Sequence, residues 1–179
     1  MTIRIETERL ILRPMEPKDC EPHVVMMGDP KIASFLSATH KPESRMDRWR
    51  QFASYLGHWQ IRGFGFFSVD DKETGEWVGR VGPWMPESWP GLECGWAIKS
   101  EHWGKGYAPE AAIASIRWTF DRFPELSRII SIIDGDNKNS QAVASKIGET
   151  KSSESFEFWS FKLDVWSAGR EEWLHQFGK

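Results

Sequence analysis

The sequence predicts a mixed α/β (α+β) fold in which a mostly antiparallel twisted sheet is flanked by helices. Two patterns carry the prediction. Apolar runs at 64–69, 77–84 and 92–98 are separated by polar or proline-containing connections, which is the signature of a meander. From 92 to 148 the pattern then alternates strand, helix, strand, helix. The chain has 179 residues, 40% hydrophobic and 27% charged, which is enough for one domain over residues 1–179 with a substantial core.

In chain order, Ile3 to Arg13 reads as a first strand, closed by Pro14. Pro17-Lys18-Asp19 opens a helix that runs to about Met27 and is broken by Gly28-Asp29-Pro30. Lys31 to Leu36 forms a short helix. A longer one covers Pro42 to about Gln60, with Met46, Trp49, Phe52, Ala53 and Leu56 at helical spacing. These helices precede the main sheet and suit the wall of a pocket. Phe64–Val69 and Trp77–Trp84 pair as a hairpin through a polar connection ending in Gly75, and Met85–Gly91, with Pro86 and Pro90, is a loop.

In Leu92–Ile98, alternation puts Leu92, Cys94, Trp96 and Ile98 on one face and Glu93, Gly95 and Ala97 on the other. A lone carboxylate among small residues suits a strand along which a ligand lies. Beyond it, Ala112, Ile113, Ile116, Phe120 and Phe123 mark a helix face ended by Pro124, and Arg128–Ile133 is a short strand buried on both sides. Asn137 caps a second helix that runs to Ile147, where Gly148 stops it. A hairpin-like pair at about Thr150–Ser153 and Phe156–Leu163 follows, then a helix from Ser167 whose Trp173, Leu174 and Phe177 pack back on the domain.

Composition narrows the function. A net charge of -3 supplies no basic field for nucleic acid. The N-terminus has no signal-peptide pattern, and no apolar run approaches the ~18 residues that cross a bilayer, so the expected location is cytoplasmic, without a membrane partner. Cys20 and Cys94, far apart, suggest neither a disulfide framework nor a metal pair. His23, His40, His58, His102 and His175 have no metal-binding spacing; His102 stands beside the loop discussed next. The 11 Trp, from Trp49 to Trp173, supply core and pocket walls.

That loop, Trp103 to Ala108, joins the 92–98 strand to a helix start. Gly104 and Gly106 allow positive φ and close backbone approach, and Pro109 suits a first helical turn. The helix start offers unpaired N–H groups and about half a positive charge, so phosphate fits there, with Lys105 adding a full charge. Read from the residues alone, the loop is either this anion grip or a tight turn. The pattern is not a dinucleotide fingerprint, because Pro109 occupies the third glycine position, and the chain holds no G-x-x-x-x-G-K-[ST], G-x-S-x-G or H-E-x-x-H.

Taken together, Glu93-Cys94-Gly95-Trp96-Ala97-Ile98, Trp103-Gly104-Lys105-Gly106-Tyr107-Ala108-Pro109-Glu110-Ala111, and Asn137-Lys138-Asn139-Ser140 with Lys146-Ile147-Gly148 resemble the GNAT superfamily of acetyl-CoA-dependent N-acetyltransferases. Thr7–Arg13 and Arg170–Trp173 resemble its RimJ/RimL-like branch. The resemblance implies a sheet splayed around an acetyl-CoA site. It places the pyrophosphate on Trp103, Gly104, Lys105, Gly106, Tyr107 and Ala108, with Trp103 where relatives carry Gln or Arg, and the pantetheine arm along Trp96, Ala97 and Ile98. Asn137 and Ser140 fall at positions that meet the cofactor's arm or sulfur in relatives.

The implied reaction is acetyl transfer to a primary amine, of a small molecule or a protein N-terminus, by direct attack in a ternary complex. A Lys-like amine with a pKa of ~10, or an α-amine of ~8, must first lose a proton. Glu93 is the candidate base, acting directly or through water; its alternative role is to pair with an arginine that holds the sheet. A backbone N–H near Ala97 would stabilise the tetrahedral intermediate. Relatives carry a Tyr as general acid where this chain has Ala144, so Ser140 would hydrogen-bond the leaving sulfur instead, or serve only the helix start. That substitution keeps a second reading open, a non-catalytic acetyl-CoA sensor. Phe35–Trp59, Trp84–Trp89 and Phe156–Trp159 are expected to shape the acceptor pocket, and the protein to be a monomer or homodimer.

Overall fold

The computed structural model describes residues 3–37, 39–158 and 161–178. Eight strands form one sheet in the order β1-β2-β3-β4-β5-β6-β8-β7. The strands are β1 (Ile5–Glu6), β2 (Leu10–Pro14), β3 (Phe67–Asp71), β4 (Trp77–Trp84), β5 (Glu93–Ile98), β6 (Arg128–Ile133), β7 (Thr150–Phe158) and β8 (Phe161–Gly169). The helices are α1 (Cys20–Met26), α2 (Pro30–Leu36), α3 (Arg45–Arg62), α4 (Tyr107–Arg122), α5 (Lys138–Lys146) and α6 (Arg170–Phe177). None of the helices is long and apolar enough to cross a membrane.

Among the described residues only β5 and β6 run parallel, and they pair at a single register point, Glu93 with Ile130, where the Ile130 amide donates to Leu92 O at 3.1 Å. Beyond that point the two strands part. The β4–β5 ladder, by contrast, is unbroken from Gly79–Ile98 to Trp84–Glu93. The Lys99 amide donates to Val78 O, which fixes the phase of this ladder. Residues 93, 95 and 97 therefore spend their backbone groups on β4, while those of Cys94, Trp96 and Ile98 face the gap. The predicted parity of β5 holds, since Leu92, Cys94 and Ile98 join the core against α4 and Ala97 packs with Met26, Met27 and Ile32 on the other face.

Three expectations need correction. The first strand is two, because Thr7-Glu8-Arg9 turns, and Ile5 pairs back on Leu12. Glu110 of α4 holds the turn, accepting from Thr7 Oγ1 at 2.6 Å and the Arg9 amide at 2.9 Å. The long helix starts at Arg45 behind the Ser44 cap, and its buried side chains are Phe52, Tyr55 and His58, while Met46 and Trp49 are exposed. In the last hairpin Phe156–Phe158, expected in the second strand, end the first, and β8 runs from Phe161 to Gly169, so α6 begins at Arg170 rather than Ser167. Trp159, expected in that second strand and in the acceptor pocket, lies outside the described residues.

Candidate active site

Two cavities open on the parting of β5 and β6. The first, about 270 Å³, is walled by α2, the end of β5, the glycine loop and α5, and includes Trp96, Ala97, Ile98, Trp103, Gly104, Gly106, Tyr107 and Ala108. The second, about 620 Å³, lies between α3, β4, β5 and β6 and includes Tyr55, Phe66, Arg80, Trp84, Trp89 and Glu93. Both are lined by Phe35, Leu36, Trp96, Asn137 and Ser140, so they meet there. Of the residues predicted to form the site, all but Lys105 line one cavity or the other, and Lys105 is in the loop itself.

The loop has the form of an anion cradle. Gly104 and Gly106 sit at φ 78° and 82°, and Gly106 caps α4. The amides of Gly104, Gly106, Tyr107 and Ala108 have no acceptor among the described residues, and Pro109 needs none. Neighbouring residues brace this geometry. Lys105 O accepts from Arg9 at 2.7 Å, Tyr107 donates to Asp71 at 2.5 Å, and the Trp103 indole donates to Ile98 O at 2.8 Å. Trp103 therefore ties the loop to the strand end. Lys105 Nζ lies 3.1 Å from His102 Nδ1, and the His102 ring stacks on Tyr107. At the edge of the cavity, Glu76, Glu101 and His102 bring three donor atoms within 4.8 Å, but Lys99 at 2.6 Å already neutralises Glu76.

At the junction, Asn137 caps α5 by accepting from the Ser140 amide at 3.0 Å. Ser140 Oγ accepts from the Trp96 indole at 3.3 Å, which leaves its own proton free to turn into the gap. Along β5, Cys94 O accepts from Ser131 and Ile98 O from Trp103, so the open groups between them are Trp96 C=O and the amides of Trp96 and Ile98. Those two amides flank Ala97, whose own points at β4. Ala144, where the resemblance leads one to expect Tyr, is fully buried and lines neither cavity.

Glu93 is half-buried in the second cavity. Burial pushes its pKa up to about 7, against the Trp89 indole (2.7 Å from Oε2), the charge of Arg80 and the Ile132 amide. The alternative in which an arginine pairs with Glu93 to hold the sheet does not match this geometry, because its close partner is Trp89. Gly95 beside it leaves no room for a side chain, since a Cβ there would meet Phe66 at 2.9 Å and Glu93 Oε1 at 3.3 Å. The cavity wall is aromatic: Phe66 and Trp84 stack at 5.0 Å, and Tyr55 meets both edge-on. Two histidines are structural. His58 Nδ1 donates to Phe64 O at 2.7 Å while Nε2 accepts from the Met85 amide, and burial holds His23 down at about 3. Burial also pushes the Cys94 thiol well above its usual range, so it is no nucleophile.

Sequence reasoning missed Glu149. It is 2% exposed, Oε1 lies 2.9 Å from Ser131 Oγ, and Ser131 Oγ lies 2.8 Å from Cys94 O. One hydroxyl has one proton; with Glu149 neutral, its carboxyl donates to Ser131 and Ser131 donates to Cys94. This chain stitches β5 to β6 just where they part. Burial first, then the nearby Glu93, raise the Glu149 pKa to about 8 from 4.5. A carboxyl raised in this way contributes stability that is full below the unfolded value near 4.5 and is lost as pH rises through about 8. Thermal melts from about pH 6 to about pH 9 should show a falling Tm, and Glu149→Gln should flatten that fall.

The sheet is parted between two strands, with a loop of free amides on one side of the gap and the half-buried Glu93 carboxylate on the other. The chain belongs to the GNAT acetyltransferases, whose family model, described as an acetyltransferase (GNAT) domain, matches residues 9–150. It is 31% identical over 150 residues to the uncharacterized protein YkkB of Bacillus subtilis, covering 81% of this chain and 84% of that one. An acetyltransferase of Agrobacterium tumefaciens superposes with a TM-score of 0.82 at 30% identity, covering 94% of this chain and 95% of that one. RimJ of Mycobacterium smegmatis, solved with CoA-disulfide, shares the fold at a TM-score of 0.70 and 17% identity, covering 99% of this chain and 94% of that one. The protein is an acyltransferase of the N-acetyltransferase kind.

Proposed function

We propose that the protein transfers the acetyl group of acetyl-CoA to a primary amine by direct attack in a ternary complex. The observation that carries this reading is the junction of the two cavities at Trp96, Asn137 and Ser140. The free amides of the glycine loop would take the pyrophosphate, and the gap-facing groups of Trp96 and Ile98 the pantetheine amides, in the manner of an added strand. The amine enters from the second cavity. Glu93, with a pKa of about 7, takes its proton directly or through water. The amine nitrogen bonds to the thioester carbon and the oxyanion faces the Trp96 or Ile98 amide; as the carbonyl re-forms the C–S bond breaks, and the second proton shed by the nitrogen passes through water to the departing thiolate. Ser140 donates to that sulfur.

Thiol release from acetyl-CoA, measured over a panel of small amines and N-terminal peptides, tests the proposal. Acceptor-dependent release is expected. Tight acetyl-CoA binding without any release would favour the sensor reading. Placement of the cofactor has its own test in Gly106→Val, which forces a branched side chain to φ 82° with its Cβ about as close as 3.3 Å to Arg9. Loss of one charge-assisted amide contact should raise KM for acetyl-CoA about 10-fold or more, and an unaltered KM would count against the placement.

A further inference from the structure

We infer that the acceptor is a primary amine carrying a carboxylate, and that Arg80 is the residue that holds the carboxylate. The inference rests on the reading of the second cavity as the acceptor side and deepens it.

Arg80 lies mid-way along β4, 6% exposed, in the lining of that cavity. Its register partner is Ala97, so it projects from the same sheet face as Glu93 and Gly95. Its guanidinium stands 4.0 Å from the Phe66 ring centre and 4.9 Å from that of Tyr55. The Tyr55 hydroxyl interacts with the group, but Nε has no hydrogen-bond partner, and among the described residues no carboxylate oxygen comes within 4.0 Å of the guanidinium. Arg13 holds two aspartates, Arg9 holds Glu110 and Arg128 holds Glu154, while Arg48 and Arg170 donate to backbone carbonyls.

Burying a guanidinium without a carboxylate is costly, and ring faces return only part of what water supplied. A planar fork with an idle N–H in a ligand-sized cavity is built for a carboxylate. The competing explanation is that Arg80 serves as a remote counter-charge for Glu93, which it does stabilise in the ionised form. Glu93 titrates near 7, however, and its own hydrogen bond goes to Trp89, so it is a partial partner at best. The remaining charge pattern suits a zwitterion. Glu43 and Asp134 stand in the same lining and attract an ammonium, while Asp47 and Glu87 are engaged by Arg50 and Arg62.

The test uses paired acceptors that differ only in this charge. Amino acids of increasing chain length are compared with their carboxamides, and short peptides with Asp at the second position with the same peptides bearing Asn, all by thiol release. The free amino acids and the acidic peptides separate the two sources of the same group. Wild type is expected to favour at least one acid over its neutral partner by about 10- to 100-fold in kcat/KM. In Arg80→Gln that preference should collapse toward unity, and Arg80→Lys should recover part of it.

If amines are acetylated but neutral partners serve as well as acids, the inference fails while the acetyltransferase reading stands. It fails equally if Arg80→Gln lowers acid and carboxamide rates by one common factor, which is the behaviour of a counter-charge. If no amine releases thiol, calorimetry of the acids with the acetyl-CoA-loaded protein decides. Binding weakened at least about 10-fold by Arg80→Gln supports the carboxylate site, and equal binding to both proteins rejects it.

Discussion

Glu93→Gln is expected to lower kcat by about 10²- to 10⁴-fold, the usual range for a general base, with a smaller effect on KM for acetyl-CoA. The substitution keeps the shape and a hydrogen bond to the Trp89 indole, 2.7 Å away in the wild type, but cannot take a proton. The pH profile adds a sharper criterion. Burial places the Glu93 pKa at about 7, so wild-type kcat/KM should rise with pH through about 7 as the carboxyl ionises. In Glu93→Gln that limb should vanish, leaving only the ionisation of the amine itself. An undiminished rate with the same limb would remove Glu93 as the base and leave water or another group in its place.

The largest stability effect is expected at Asp19. This carboxylate, 2% exposed, receives both terminal nitrogens of Arg13 at 2.8 Å, the Ser68 hydroxyl at 2.7 Å and the Glu16 amide at 2.8 Å. It joins the segment entering α1 to β2 and β3, and so positions the helical side of the second cavity. Asp19→Ala strands the Ser68 hydroxyl and the Glu16 amide and leaves Arg13 with Asp70 alone, and should cost about 3–5 kcal/mol. The corresponding fall in Tm is roughly 6–20 °C. Burial raises the Asp19 pKa, but Arg13, the Glu16 amide and Ser68 outweigh it, and the net shift is downward. Its stabilisation is therefore present above the unfolded value of 3.8 and is lost as pH falls through the folded one. A melting curve of Asp19→Ala matching wild type at neutral pH would contradict this.

How far the chain could be read before folding depended on whether a feature was local. The glycine loop, the parity of β5, the buried β6 and the Asn137 cap are set by residues within a few positions of one another, and they stand where expected. The Thr7–Arg9 turn has no glycine or proline because Glu110, about a hundred positions away, supplies its acceptors. On α3 the apolar spacing of Met46 and Trp49 pointed to the wrong face. Tyr55 and His58 are the buried ones, since the core they meet is an aromatic wall with polar partners. β7 runs further than its apolar residues signal, because its Lys151–Ser155 stretch is polar and carries a register shift.

The buried charged residues that went unread were those whose surroundings are tertiary. Glu149 follows Gly148 and looks like an ordinary turn carboxylate until β6 brings Ser131 against it. Arg80 did leave a trace: it is the single charge within Trp77–Trp84, a strand otherwise of apolar residues and glycine. A charged residue in such a run needs a partner, and among the described residues its Nε has none, which is the observation behind the inferred ligand.

The central claim, direct transfer between two ligands that meet at Trp96, Asn137 and Ser140, is tested most directly by initial rates with acetyl-CoA and an accepted amine varied together. Direct attack in a ternary complex predicts double-reciprocal lines that intersect, with no acetylated protein detected by mass spectrometry when the amine is omitted. Parallel lines, together with an acetyl group carried on the protein, would contradict it.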